Sequence, residues 1–109
     1  YMANTFKNAY YDVTDSLAAA YTCPGSTTAI VLTLRITNVD GAADATIDAT
    51  VTDASSGESY IAYTLTVPAD SSIELAGTSK LVLEAGDIVK LKANASSDLE
   101  AFISVLQIT

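Results

Sequence analysis

Histidine and tryptophan are absent from this 109-residue sequence, cysteine occurs once and proline twice. Without histidine there is no Ser-His-Asp triad, no imidazole general base and no His-containing zinc site. The single Cys23 excludes an intrachain disulfide and a Cys-rich metal cluster, so most hydrolase and metalloenzyme templates fall away. Basic residues are scarce as well: five Lys and Arg stand against 13 Asp and Glu, for a net charge of -8. Nucleic-acid binding neutralises phosphates with basic side chains, so this surface is expected to repel DNA and RNA. No apolar run approaches the roughly 18 residues of a membrane-spanning helix. No basic stretch followed by an apolar one opens the chain as a secretory signal would. Neither a membrane nor a nucleic acid is expected as a partner.

What is present is a chain that is 50% hydrophobic and only 17% charged, too apolar to remain disordered. Its length supports one hydrophobic core and no more. Tyr1 precedes Met2-Ala3, which reads as a native start, so Tyr1 is set aside as a residue left from expression and one domain is expected over 2–109. Short runs rich in Val, Ile, Thr and Tyr alternate with Gly, Pro, Asp, Asn and Ser clusters every ~8–12 residues, the pattern of a sandwich or barrel.

The clearest strand is 28–39, where Ile30, Leu32, Leu34 and Ile36 alternate with Val31, Thr33, Arg35 and Thr37, and the first set is expected to face the core. Asp40-Gly41 supplies turn chemistry, and 45–53 resumes the alternation with Ile47 and Val51, so the two segments read as a hairpin. The turn at 55–58 leads to a Tyr- and Ile-rich strand over 59–67, closed by Pro68, whose missing N–H suits a strand end. Further strands are expected at 72–75, 80–83, 88–93 and 99–108, separated by turns at 69–71, 76–79, 84–87 and 94–98. Two weaker ones fall at 6–11 and 17–23. Ala18-Ala19-Ala20 has high helix propensity, but strand is favoured there. Eight to nine strands without a reliable helix point to an all-β antiparallel β-sandwich or jelly roll, with a small β-barrel as the alternative.

Few constellations carry chemistry. Asp40, Asp44 and Asp48 sit four apart around a glycine, the raw material of a weak calcium site, but the spacing does not match an EF-hand, and solvated carboxylates and turn caps are the favoured reading. No carboxylate pair is singled out for glycoside hydrolysis, so no catalytic residue and no cofactor is assigned. Tyr10, Tyr11, Tyr21, Tyr60 and Tyr63 could form an aromatic platform, although Tyr is also a favoured strand residue and cross-strand packing is the stronger reading. Nothing near Cys23 lowers its pKa, so it reads as a small buried hydrophobe. Asn94-Ala95-Ser96 fits the glycosylation pattern, which three residues match often by chance.

An open sandwich leaves unpaired edges that monomers protect with charge, Pro or bulges, and this chain has little such protection. The segment 102–108 carries no charge and is apolar at both odd and even positions, as in a strand covered on both sides. Phe6, Tyr10, Tyr11, Phe102, Val105, Leu106 and Ile108 are therefore the interface candidates, and a homo-oligomer or a subunit of a larger assembly is expected.

Four segments carry a family resemblance: Met2-Ala3-Asn4-Thr5-Phe6-Lys7-Asn8, Tyr21-Thr22-Cys23-Pro24-Gly25-Ser26-Thr27-Thr28, Lys80-Leu81-Val82-Leu83-Glu84-Ala85-Gly86-Asp87 and Ser104-Val105-Leu106-Gln107-Ile108. In order and spacing the sequence resembles small structural proteins of tailed bacteriophages, especially marine phages of cyanobacteria and other ocean bacteria. The similarity spans nearly the whole chain and rests on turn and strand signatures. Cys23 stands where Ala is more typical. The resemblance implies a non-enzymatic virion component of β-sandwich type: a capsid decoration protein, a head or neck fibre, or a tail-associated protein. Its partners would be its own copies and other virion proteins, and it would assemble in the host cytoplasm. A glycan-binding or host-adhesion module is the alternative.

Overall fold

In the computed structural model, which describes residues 4–55, 57–76 and 80–109, β-branched and aromatic residues at period two form nine strands and no helix. They are β1 (Asn4–Val13), β2 (Ala18–Thr22), β3 (Thr28–Asn38), β4 (Ala45–Thr52), β5 (Glu58–Val67), β6 (Ser72–Glu74), β7 (Leu81–Leu83), β8 (Ile88–Ala93) and β9 (Leu99–Ile108). Ala18-Ala19-Ala20 lies in β2, where pairing with β8 overrides helix propensity. Residues 1–3, Ser56 and most of the loop expected at 76–79 lie outside the described residues.

The strands make two antiparallel sheets. A front sheet has the order β1-β9-β3-β6, with β7 also paired to β3, and a back sheet has the order β2-β8-β4-β5. The chain steps from front to back between β1 and β2, returns for β3, and crosses again for β4. With β6 and β7 sharing one position beside β3, such interleaving of a five-stranded and a four-stranded sheet is the double Greek key of a jelly roll. The sandwich, rather than a closed barrel, is therefore the architecture, and its core lies between the sheets.

Two sequence expectations change in three dimensions. β3 and β4 do not form a hairpin: β3 pairs with β6, β7 and β9, and β4 with β5 and β8. The link between them crosses from one sheet to the other. Asn38, 1% exposed, holds the crossing: its Nδ2 donates to the carbonyls of Ala43 (3.1 Å) and Val67 (2.9 Å), and its Oδ1 accepts from Asp40 N (2.8 Å). Asp40 then accepts from Ala42 N, a local turn that redirects the chain. The hairpin is instead β4–β5, closed by Asp53, whose N–H donates to Gly57 O and whose Oδ1 accepts from Ser55 N and Gly57 N.

The second change is the facing of β3. Its register against β9 shifts between Val31 and Thr33, so Leu32 is an extra residue. A bulge moves the alternation by one position. Ala29 and Val31 are buried before it, Leu34 and Ile36 after it, while Ile30 and Leu32 are only partly buried. Half of the set expected in the core is therefore turned outward. The core comprises Val31, Leu34, Ile36, Leu83, Leu99, Ile103 and Val105 from the front sheet and Ala45, Ile47, Ala49, Val67, Val89 and Leu91 from the back sheet.

β6 and β7 lie end to end along β3, and the interval between them leaves the N–H of Leu34 without a strand partner. The carboxylate of Glu74 fills it, with Oε2 accepting from Leu34 N at 2.7 Å and from Ala76 N at 3.1 Å. At the opposite end of the sandwich Gly86 (φ +89°) turns β7 into β8, its N–H donating to Cys23 O. A Cβ there would meet the Cβ of Ala54 at 3.0 Å, so the turn requires glycine.

Candidate functional site

Antiparallel pairing places directly opposed residues on one face, so the outer surface of the front sheet can be read across its strands. Phe6 of β1 lies opposite Leu106 of β9, Leu106 opposite Ile30 of β3, and Ile30 opposite Val82 of β7. This is an apolar row across four adjacent strands. To one side is the row Asn4, Ile108, Thr28. To the other come Asn8, Ser104 and Thr33 at the bulge, then Tyr10, Phe102, Arg35 and Glu74. Phe6 is 73% exposed, Tyr10 77% and Val82 64%. The Tyr10 and Phe102 rings are 5.4 Å apart in a tilted pair. Arg35 and Glu74 approach to 3.9 Å.

Five of the seven residues expected at an interface, Phe6, Tyr10, Phe102, Leu106 and Ile108, lie on this face. Val105 does not: it is opposite Val31, 1% exposed and inside the core. Tyr11 also turns inward and packs against the core. Both are removed from the candidate surface because odd positions of β1 and β9 point between the sheets. Ile30 and Val82 join it. Ile30 is outward only because the bulge at Leu32 inverts β3, and Val82 is the outward member of a three-residue strand.

The edges differ as well. β1 pairs with β9 without a register shift over all ten residues, so its outer edge is a regular, unblunted strand. β5, at the edge of the back sheet, has two register shifts against β4. At one of them Thr64 adopts φ +50°, held by its N–H donating to Asp48 Oδ1 at 2.6 Å. Bulges of this kind discourage pairing with another chain.

The remaining candidates separate. Asp40 accepts from Ala42 N, Asp44 from Ala69 N and Asp48 from Thr64 N, so each carboxylate serves a different backbone amide. Among the described residues no three Cys, Asp or Glu side chains converge as metal ligands. The tyrosines do not form one platform: Tyr10 is on the front face, Tyr60 and Tyr63 form an edge-to-face pair 4.9 Å apart on β5, and Tyr11 and Tyr21 pack against the core. Tyr21 Oη accepts from Gln107 Nε2 at 2.6 Å, tying β2 to β9 across the two sheets. Burial raises the Tyr21 pKa. Cys23 is buried, with Sγ near the carbonyls of Thr27 (3.3 Å) and Leu83 (3.7 Å), and burial, reinforced by the Asp87 carboxylate, pushes its thiol pKa up. Such a thiol is a poor nucleophile. Asn94 Oδ1 accepts from Thr46 N.

No protein-family model matches the chain, and no curated protein is similar in sequence. Solved structures share its fold. It is similar to a subunit of Bacillus endospore appendages, which form disulfide-linked pili (TM-score 0.58, 14% identity, 99% of this chain and 88% of that one). It is similar to a protein of the acid-stable capsid of Helicobacter pylori bacteriophage KHP30 (TM-score 0.57, 12% identity, 100% and 92%). A chain of the infectious bursal disease virus Gx strain contains a similar region (TM-score 0.53, 10% identity), 99% of this chain spanning 31% of that one.

Proposed function

We propose that the chain is a non-enzymatic structural subunit of a bacteriophage virion and acts through protein–protein assembly. The observation that carries this reading is the apolar outer face of the front sheet, which presents Phe6, Ile30, Val82, Leu106 and Ile108 together on a small acidic domain. Contiguous exposed apolar surface marks a binding surface for protein. The jelly roll shared over nearly the full length of both chains with a phage capsid protein supports the same reading. So does the resemblance to small structural proteins of tailed, marine-type phages. The chain's position is a capsid decoration, a head or neck fibre, or a tail-associated part, assembled in the host cytoplasm with Cys23 reduced.

The test is peptide mass spectrometry and immunogold labelling of purified particles of the phage that carries the gene. Stoichiometric recovery with gold confined to head, neck or tail is the expected result, and its location assigns the position. Recovery only in the soluble lysate overturns the proposal.

A second reading, a host-glycan adhesion module, is favoured by the exposed Tyr60–Tyr63 pair beside Asp48 and Lys92 on the back sheet. Tyrosine offers a sugar both an apolar face and a hydroxyl. Saturable glycan-array binding that is lost in Tyr63→Ala would establish it, and a blank array removes it.

A further inference from the structure

We infer that the outer face of the front sheet is a contact between copies of this chain, so that a second copy covers the row Phe6, Leu106, Ile30 and Val82. The inference rests on the assembly role proposed above and names the surface and the occupant.

Charge selects the occupant. Two copies each carry -8, and they associate only where like charges stay apart. The rows of Phe6 and Asn8 contain no ionisable side chain on this face, and the row of Asn4, Ile108 and Thr28 meets one, Glu84, at its end. The next row holds Arg35 and Glu74, which face each other and cancel. The acidic pair Asp12 and Glu100 falls one row further, at the far end. The centre of the face is thus an uncharged window in an acidic molecule, whereas the outer face of the back sheet carries Asp48, Glu58, Lys90 and Lys92, charges that a covering copy would have to strip of water. A partner chosen by attraction to this protein's net charge would instead be expected on an acidic surface.

Area agrees. Four strands spaced ~4.8 Å apart, crossed by rows spanning about 20–25 Å, give roughly 600 Å² per copy including side-chain margins. Two copies would bury about 1,200 Å², the lower bound of a specific, stable interface. The bulge contributes directly, because if Leu32 were paired regularly the alternation seen in Leu34 and Ile36 would turn Ile30 inward and break the row at its centre. On the back sheet, bulges blunt an edge; in β3 the bulge completes an exposed apolar surface.

The experiment is light scattering on size-separated protein over a wide concentration range, at low salt and at seawater-like salt. The wild type is expected at a multiple of the monomer mass, with association tightening as salt screens the shared negative charge. Leu106→Lys and Phe6→Ser are each expected to weaken association by roughly tenfold or more while retaining the β circular-dichroism spectrum. Phe6 is 73% exposed on an edge strand, so Phe6→Ser keeps the test meaningful if Leu106→Lys fails to fold. In Val82→Cys, the new thiol is expected to be protected from alkylation in the oligomer and reactive on dilution. A wild type that stays monomeric at every concentration overturns the inference and leaves the face to another virion protein. A folded Phe6→Ser variant with unchanged association overturns it too, as does rapid alkylation at residue 82 within the oligomer. Particle labelling separates the two proposals: a monomer incorporated into virions sinks this inference alone, and an oligomer absent from virions sinks the virion assignment alone.

Discussion

The two sheets bury the same kind of residue inward and present opposite surfaces outward. The outer face of the back sheet is a polar lattice of Thr46, Asp48, Thr50 and Thr52 on β4, with Lys90 and Lys92 on β8 and Glu58 and Tyr60 on β5. Thr50 at its centre is fully buried although it points outward, flanked by Lys90 and Tyr60 and with its hydroxyl donating to Glu58. Glu58 also accepts from Thr52. Long polar side chains thus cover the back sheet with material of its own, their stems over the strands and their charges in water. The front sheet has no such cover, and Phe6 and Val82 stand in solvent. One face is largely covered by its own polar side chains and the other leaves apolar side chains exposed, although the same fold and the same core support both.

The strongest way to break this contrast is within β9, where adjacent residues serve the two surfaces. Ile103 is 1% exposed in the core, and Ile103→Ala is expected to destabilise the domain by about 2–5 kcal/mol in urea unfolding. Leu106→Ala, on the outer face, is expected to cost the monomer less than about 1 kcal/mol while weakening association. Equal losses at both positions would mean that the face is part of the folding core. Next in size is Asn38, whose amide fastens the crossing between the sheets. Asn38→Ala leaves the Ala43 and Val67 carbonyls and the Asp40 N–H without their partner, an expected loss of ~2–4 kcal/mol. A cost near zero would show that water replaces the side chain.

The seam between the sheets is also open to titration. Burial holds the Cys23 and Tyr21 protons above the ordinary values of 9.0 and 10.0. In that window the native state binds more protons than the unfolded chain, so stability is level below about pH 9 and falls as pH rises. Urea unfolding from neutral pH to about pH 10.5 measures this, and Cys23→Ser is expected to delay the onset until Tyr21 titrates. A profile that is unchanged by Cys23→Ser would assign the loss to Tyr21 alone.

The strands themselves were legible in the sequence. Period-two alternation and turn residues place 88–93 and 99–108 at the observed bounds, and the rest within a few residues. Strand partners were not legible, because Asp40-Gly41 has the chemistry of a hairpin turn but only the buried amide of Asn38 shows that the chain crosses sheets. Facing was legible where polar residues mark one parity. Glu100 and Ser104 put the even positions of β9 outward, which would have separated Leu106 from Val105. It was not legible in β3, because a bulge changes the parity without changing the composition. The interface was thus visible as an excess of apolar residues, while its membership depended on register.

The smallest expected effect concerns the Arg35–Glu74 pair on the front face. Arg35 and Glu74 approach only to 3.9 Å, with the Arg35 side chain 54% exposed, and such pairs contribute ~0–1 kcal/mol. Arg35→Ala is therefore expected to change monomer stability by less than about 0.5 kcal/mol. Glu74 has a second task, accepting from Leu34 N and Ala76 N where β6 and β7 leave β3 unpaired. Glu74→Ala is expected to cost about 1 kcal/mol or somewhat more, because it strands the Leu34 amide. Glu74→Gln keeps an acceptor oxygen and is expected to restore most of that loss. If Arg35→Ala cost as much as Glu74→Ala, the carboxylate would matter as an ion-pair partner. The expected inequality makes it a replacement for a missing strand, and leaves the outer face of the front sheet with almost no electrostatic commitment of its own.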